Sequence, residues 1–202
     1  MAVKDHRLDP KITEAARAEF LEKGFQKASV HQIARRAGIT TGALYTRYSG
    51  KDELFASLVV EPLKQAMEEP RPFDTLYIEA QESRDPEKIL EVIRAEERFY
   101  LDMLFDHYDA CVLLFCRSEG SRLEAALKAM MDRKTQATLE FLRELSGTRA
   151  DLDGVGLIMN EQFNLYRQVL EKGYTREKAV QCMSQVERFM EAGWRALFEE
   201  IL

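Results

Sequence analysis

An all-α chain is what this sequence predicts, and three observations carry that expectation. Apolar residues recur at three- and four-residue spacing through most of the 202 residues. Few stretches alternate apolar and polar residues as strands do. The breaks in the helical pattern fall at Gly and Pro, where helices stop and start. No internal repeat or low-complexity tract is evident.

The elements follow in order. Asp9-Pro10 opens the first helix, a capping residue followed by a proline whose missing N–H costs nothing in a first turn. Ser29 caps the second, with Gln32 placed to reach back as in an S-x-x-Q capping box. Val30, Ile33, Ala34 and Ala37 line one face of it, and Gly38 supplies the left-handed exit. Thr40 or Thr41 caps a third helix whose inner side is Leu44 and the ring of Tyr48. A fourth starts near Gly50 and runs toward Glu69 through Pro62. Residues 68 to 75, EEPRPFDT, form a loop with two prolines. Asp85-Pro86 starts a long helix to about Phe105. His107 to Arg117 is a short buried helix, because CVLLFC has no polar side. Ser118 to Ser121 breaks the chain at Gly120, and Arg122 to Leu145 resumes the pattern. Two apolar stripes close it. One is Val155, Ile158, Met159, Phe163, Tyr166, Val169 and Leu170; the other is Ala179, Met183, Val186, Met190, Gly193, Leu197 and Ile201.

The segment Ser29 to Lys51, SVHQIARRAGITTGALYTRYSGK, reads as two short helices joined by a tight turn. The second begins Thr-Thr-Gly-Ala, an end almost free of bulk that can approach base edges closely while its amide dipole attracts phosphate. That is the geometry of a helix entering the DNA major groove. Leu44 and Tyr48 fill the inner face, which leaves Tyr45 pointing outward.

The run Ile12, Ala15, Ala16, Phe20, Gly24, Phe25, Ile33-Ala34, Ala37-Gly38, Leu44-Tyr45, Tyr48, Lys51 and Leu54 resembles the TetR family of bacterial transcriptional regulators. The resemblance covers residues 6 to 66 and implies a three-helix DNA-binding domain, its helix-turn-helix at about 29 to 48. It implies a helical effector-binding and dimerisation domain over 67 to 202. It places Thr40, Thr41, Gly42 and Ala43 at base edges or nearby phosphates and Tyr45 and Lys51 on the DNA backbone, and it adds Arg47, where many relatives carry a large polar or aromatic residue, as a further DNA contact. Ser29 and His31 would reach phosphate across the groove.

Charge agrees with a DNA-binding head. The chain carries a formal −6, yet residues 1 to 51 hold ten Lys and Arg against five Asp and Glu, a net of +5. The remaining 151 residues hold nineteen against thirty, a net of −11. A basic end on an acidic body is the asymmetry of a protein that meets phosphate through one small domain.

The resemblance further implies a homodimer through the last two helices, with Phe163, Tyr166, Met183, Val186, Met190, Gly193, Trp194 and Leu197 at the seam. Two recognition helices then address a palindromic operator about 34–36 Å apart. It also implies a small-molecule effector with an apolar part. The large, deformable side chains Phe99, Tyr100, Met103, Leu104, Tyr108, Phe115 and Tyr166 are the candidate pocket, with Arg98 or Glu119 as orienting groups if buried. The function expected is a repressor released by that molecule; an activator, or a regulator answering to protein partners, is the alternative.

Other classes find no support. None of His6, His31 or His107 has a Glu three residues before it, as a di-iron bundle would want. HExxH, a phosphate-cradling glycine loop and G-x-S-x-G are absent, so neither an enzyme nor a cofactor or metal is expected. Cys111, Cys116 and Cys182 lack metal spacing, and an odd count argues against a disulfide framework. No apolar run approaches a membrane span, and MAVKDHRLDP has no apolar signal core, so a cytoplasmic protein is expected.

Overall fold

The computed structural model describes residues 9–67, 70, 71, 73–146 and 152–201. Among them are ten helices and no strand: α1 (Asp9–Lys27), α2 (Val30–Arg36), α3 (Thr41–Tyr45), α4 (Lys51–Met67), α5 (Asp74–Ser83), α6 (Pro86–Asp106), α7 (Tyr108–Cys116), α8 (Arg122–Ser146), α9 (Asp153–Glu171) and α10 (Arg176–Ile201). The expected domain start at residue 6, His6, and the expected end of the fourth helix at Glu69 lie outside the described residues. The chain divides into two compact units, Met1–Ala66 with His107–Lys128 and Met67–Asp106 with Ala129–Leu202.

The first unit packs α1 on α2, α2 on α3 and α1 on α7. Its centre is Phe20, Phe25 and Phe55, with ring centroids 4.9 and 5.2 Å from Phe55 in edge-to-face contact. Ile12, Ala16, Ile33, Leu44 and Leu54 close around them, fully buried. Helix α1 is broken at Gly24, whose φ of 72° and ψ of 166° suit a residue without a side chain. The break frees backbone groups that the end of α7 takes up. Phe25 N–H donates to the Arg117 carbonyl (2.8 Å), and Arg117 Nε donates to the Leu21 carbonyl (3.0 Å).

Two local expectations are corrected. Ser29 stands at the N-cap of α2, but its side chain caps nothing. The carboxylate of buried Glu19 accepts the Ser29 N–H instead (3.2 Å) and faces the Arg36 guanidinium at 3.5 Å. The third helix is shorter than the pattern suggested. It ends at Tyr45, and Arg47 and Tyr48 both donate their N–H to the Leu44 carbonyl in a closing turn. Thr40 does cap it, its hydroxyl accepting from Ala43 N–H (3.1 Å), and Gly38 does exit left-handed at φ 69°.

The second unit contains α5, which begins inside the loop expected over residues 68 to 75 and continues through a stretch to which the sequence pattern assigns no element. Asp74 starts it, its carboxylate accepting from the Arg71 N–H at 2.7 Å and from Arg71 Nε at 3.1 Å. Helix α6 opens as expected, with Asp85 Oδ1 accepting the Glu87 N–H (2.9 Å). Helices α5 and α10 pack on α6. The core of the unit is Leu90, Leu142, Leu145, Leu152, Met159 and Phe198 with their neighbours.

Candidate functional site

In the first unit the turn between α2 and α3 presents a small, polar, exposed surface. Thr40, Gly42, Tyr45 and Thr46 are exposed around a buried Leu44, and Tyr45 is 51% accessible, large for a tyrosine in a folded unit. The Thr46 hydroxyl folds back on the Gly42 carbonyl (2.9 Å) and adds no bulk to the surface. His31 Nδ1 and the Thr41 hydroxyl are joined by a hydrogen bond of 3.0 Å. Helices α2 and α3 are thus tied together on their outer side, and His31, Thr40, Thr41, Gly42, Ala43 and Tyr45 lie along one stretch of surface. The end of α2 adds an exposed Arg35.

Two other predicted contacts have their side chains engaged within the unit. The Arg47 side chain is only 8% exposed; its Nε donates to Asp9 Oδ1 (3.0 Å) and its Nη1 to the Ala43 carbonyl (3.2 Å). Lys51 Nζ closes the end of α1, donating to the carbonyls of Gln26 (3.2 Å) and Ala28 (3.4 Å) over the Phe25 ring. These two side chains therefore hold the first unit together as it stands. Ser29 is half-buried, and it is its backbone N–H rather than its hydroxyl that Glu19 engages. Glu19 escaped the sequence reading, because a Glu in an amphipathic helix looks solvated until its partners are known.

The second unit holds a partly open cavity of about 100 Å³. Its walls are mostly apolar, with the rings of Tyr77, Tyr100, Phe141, Tyr166, Trp194 and Phe198 prominent among aliphatic side chains, and its charged and amide or hydroxyl groups besides the tyrosines are Glu96, Glu97, Lys134, Thr138 and Gln162. Of the predicted pocket residues only Tyr100 and Tyr166 line it. Phe99 packs edge-on against Phe73 and Tyr100. Met103 and Leu104 are buried core. Tyr108 and Phe115 belong to the first unit, where α7 packs on α1. Arg98 and Glu119 are exposed rather than buried. Lys134 bonds Glu96 at 2.8 Å and lies over the Tyr100 ring. Burial, with Glu187, Glu96 and Glu191 nearby, pushes the Glu97 carboxyl from 4.5 up to about 7. Burial likewise pushes the Tyr166 and Tyr77 hydroxyls up, so both stay protonated donors. The Trp194 Nε1–H is buried without an acceptor.

The residues predicted for a dimer seam divide. Tyr166 and Trp194 are buried within the unit, Met190 and Leu197 pack against its core, and Phe163 lines the cavity. Met183 and Val186 are half-buried. Gly193 is exposed, with open space where a Cβ would stand. Beside it on α10 run Phe189 (79% exposed), Ala192 and Ala196, and on α9 Leu157 (70%) and Ile158 stand in solvent. The apolar stripes are real, but most of their residues serve the core; Gly193 and Ile158 face outward, beside Leu157, Phe189, Ala192 and Ala196. Helical spacing alone could not assign the two sides.

No group of three or more His, Cys, Asp and Glu arranged to hold a metal occurs among the described residues. No described helix is long and apolar enough to cross a membrane. Burial pushes the Cys111 thiol up to about 12, which leaves it an inert packing group.

Residues 12–58, the α1–α4 region that builds the exposed surface, match the model of the bacterial regulatory proteins of the tetR family. A 49-residue segment, 24% of the chain, is 39% identical to the HTH-type transcriptional regulator SrpR of Pseudomonas putida, and it spans 23% of that protein's length. Over nearly the full chain the fold is similar to that of MexZ, a key repressor responsible for antibiotic resistance in Pseudomonas aeruginosa. There the TM-score is 0.63 at 18% identity, with 96% of each chain covered. It is also similar to a TetR-like transcriptional regulator from Rhodococcus sp. RHA1, with a TM-score of 0.59 at 20% identity over 92% of this chain and 96% of that one. The likeness to the tetR-family model is confined to residues 12–58, and the chain as a whole shares the all-α fold of these TetR-like structures.

Proposed function

We propose that the protein is a dimeric, sequence-specific DNA-binding transcriptional regulator, a repressor released from a palindromic operator by a small molecule. The observation that carries this reading is the exposed surface of α3. A ring that would gain by burial, Tyr45, stands in solvent beside Thr40, Thr41 and Gly42, on a head with a net charge of +5. Small and hydroxyl side chains suit close approach to base edges, and a protruding tyrosine suits a phosphate oxygen. His31, bonded to Thr41, orients that threonine and adds a polar group on the α2 side.

The second copy covers the outward stripes of α9 and α10. Phe189, Ala192, Gly193 and Ala196 form a surface with one large anchor and three small positions, the composition that lets two helices approach closely. A pair of such chains presents two α3 helices to one face of a duplex. The aromatic cavity of the second unit receives the effector. An effector that favours the DNA-incompetent arrangement shifts the population away from the operator, by as much as its differential affinity allows. Helix α4 runs on from the DNA-binding head, and we assign the coupling to it.

The test is a binding selection on genomic fragments at near-physiological salt, with Tyr45→Ala as control. Enrichment of a two-fold symmetric site by the parent, and not by the variant, supports the reading. An absence of any enriched site, from protein that is folded and dimeric, would overturn it.

A further inference from the structure

We propose that the cavity of the second unit takes an organic cation with a compact aromatic body, seated against Glu97. The inference rests on the effector reading above and names the ligand class of that same cavity.

The first observation is the balance of charge. Two carboxylates and one ammonium line the space, and the ammonium is committed: Lys134 Nζ bonds Glu96 at 2.8 Å. Glu97 is left facing acids. The groups acting on it are Glu96 from its own helix and Glu187 and Glu191 from α10. The arginines of that neighbourhood are engaged or outside. Arg94 bonds Glu191 at 3.1 Å, Arg195 bonds Glu191 and Glu87, and Arg98 is exposed. A partly buried carboxyl among acids is costly to ionise, and a cation brought by a ligand supplies what the protein withholds.

The second observation is the wall. Tyr77, Tyr100, Phe141, Tyr166, Trp194 and Phe198 line it, and aromatic rings attract cations to their faces. The protein already seats one ammonium this way, Lys134 standing 4.8 Å from the Tyr100 centroid. Size is the third. A cavity of about 100 Å³ is on the scale of a single ring; a dry engineered cavity of about 150 Å³ holds benzene. Trp194 adds a detail, because its Nε1–H is a buried donor without an acceptor. An oxygen on the ligand within its reach would add affinity without altering the charge preference.

The experiment is calorimetric titration of the full chain with three single-ring probes of similar size and different charge: benzylammonium, benzyl alcohol and phenylacetate. The ammonium stays charged from pH 6 to pH 8, so the pH dependence belongs to the protein. Benzylammonium is expected to bind most tightly, and about tenfold more tightly at pH 8 than at pH 6 as Glu97 ionises. In Glu97→Gln that dependence disappears, affinity for the cation falls at least about tenfold, and benzyl alcohol binds as before. Unchanged binding of benzyl alcohol also shows that the variant is folded with its cavity intact. Tightest binding of phenylacetate would name Lys134 as the anchor and overturn the proposal while leaving an effector site in place. So would a cation preference that survives Glu97→Gln. Failure of all three probes to bind at millimolar concentration would count against the effector reading itself.

Discussion

Single residues decide how much of the α2–α3 surface is available. Tyr45 has its ring half in solvent, so Tyr45→Ala is expected to change stability by less than about 0.5 kcal/mol while weakening DNA binding. Arg47→Ala is expected to do the reverse, costing about 1–3 kcal/mol of stability by stripping Asp9 and the Ala43 carbonyl of their donor. Urea denaturation beside a DNA-binding isotherm separates the two; equal stability losses would remove the distinction drawn between them. Tyr45 was legible in the sequence, because Leu44 and Tyr48 occupy the inner face of the same turn. The fate of Arg47 was not, because its partner Asp9 lies 38 residues away. Glu97 makes a third case. Its carboxyl sits at about 7 when folded against an ordinary 4.5, so between those pH values the folded chain holds a proton that the unfolded chain releases. Its contribution to stability therefore falls as pH rises from 4.5 to 7 and stays low above. Glu97→Gln is expected to exceed the parent in stability at pH 8 by about 1–3 kcal/mol, and to match it near pH 4.5. Thermal or urea melts across that range check the sign; a parent more stable than the variant at pH 8 would contradict it.

At the scale of elements, helix boundaries were readable wherever a side chain caps its own helix or a glycine ends it. Thr40, Gly38 and Asp85-Pro86 are such places, and the structure uses all of them. Boundaries set by contacts distant in sequence were not readable. Glu19 displaces the Ser29 capping box from ten residues away, and α5 begins among prolines that signalled only loop. The break in α1 belongs to the same kind. Gly24 takes a conformation open to little but glycine, and Arg117 completes the hydrogen bonds that the break releases. Gly24→Ala is expected to cost about 1–3 kcal/mol, read by the urea midpoint at unchanged slope. An unchanged midpoint would mean that α1 can straighten without loss.

For the whole molecule, the fold class and the helix-turn-helix head were legible because both rest on local patterns. The inner and outer sides of α9 and α10 were not, because burial in the core and the proposed contact with a second copy call for the same apolar residues. The structure separates them, with Trp194 and Tyr166 inside and Phe189 outside. Phe189→Glu is therefore expected to leave the monomer folded and shift sedimentation from dimer to monomer, since that ring touches little in a single chain; a variant that remains dimeric would move the interface elsewhere. The central claim is that two copies set two α3 helices into successive major grooves on one face of the duplex. The measurement that tests it most directly is the affinity for a selected operator with about five base pairs, half a helical turn, inserted at its centre. The insertion is expected to abolish specific binding, and about ten inserted base pairs to restore part of it. Full affinity for the half-turn insertion would contradict that claim, since each half-site would then be read independently.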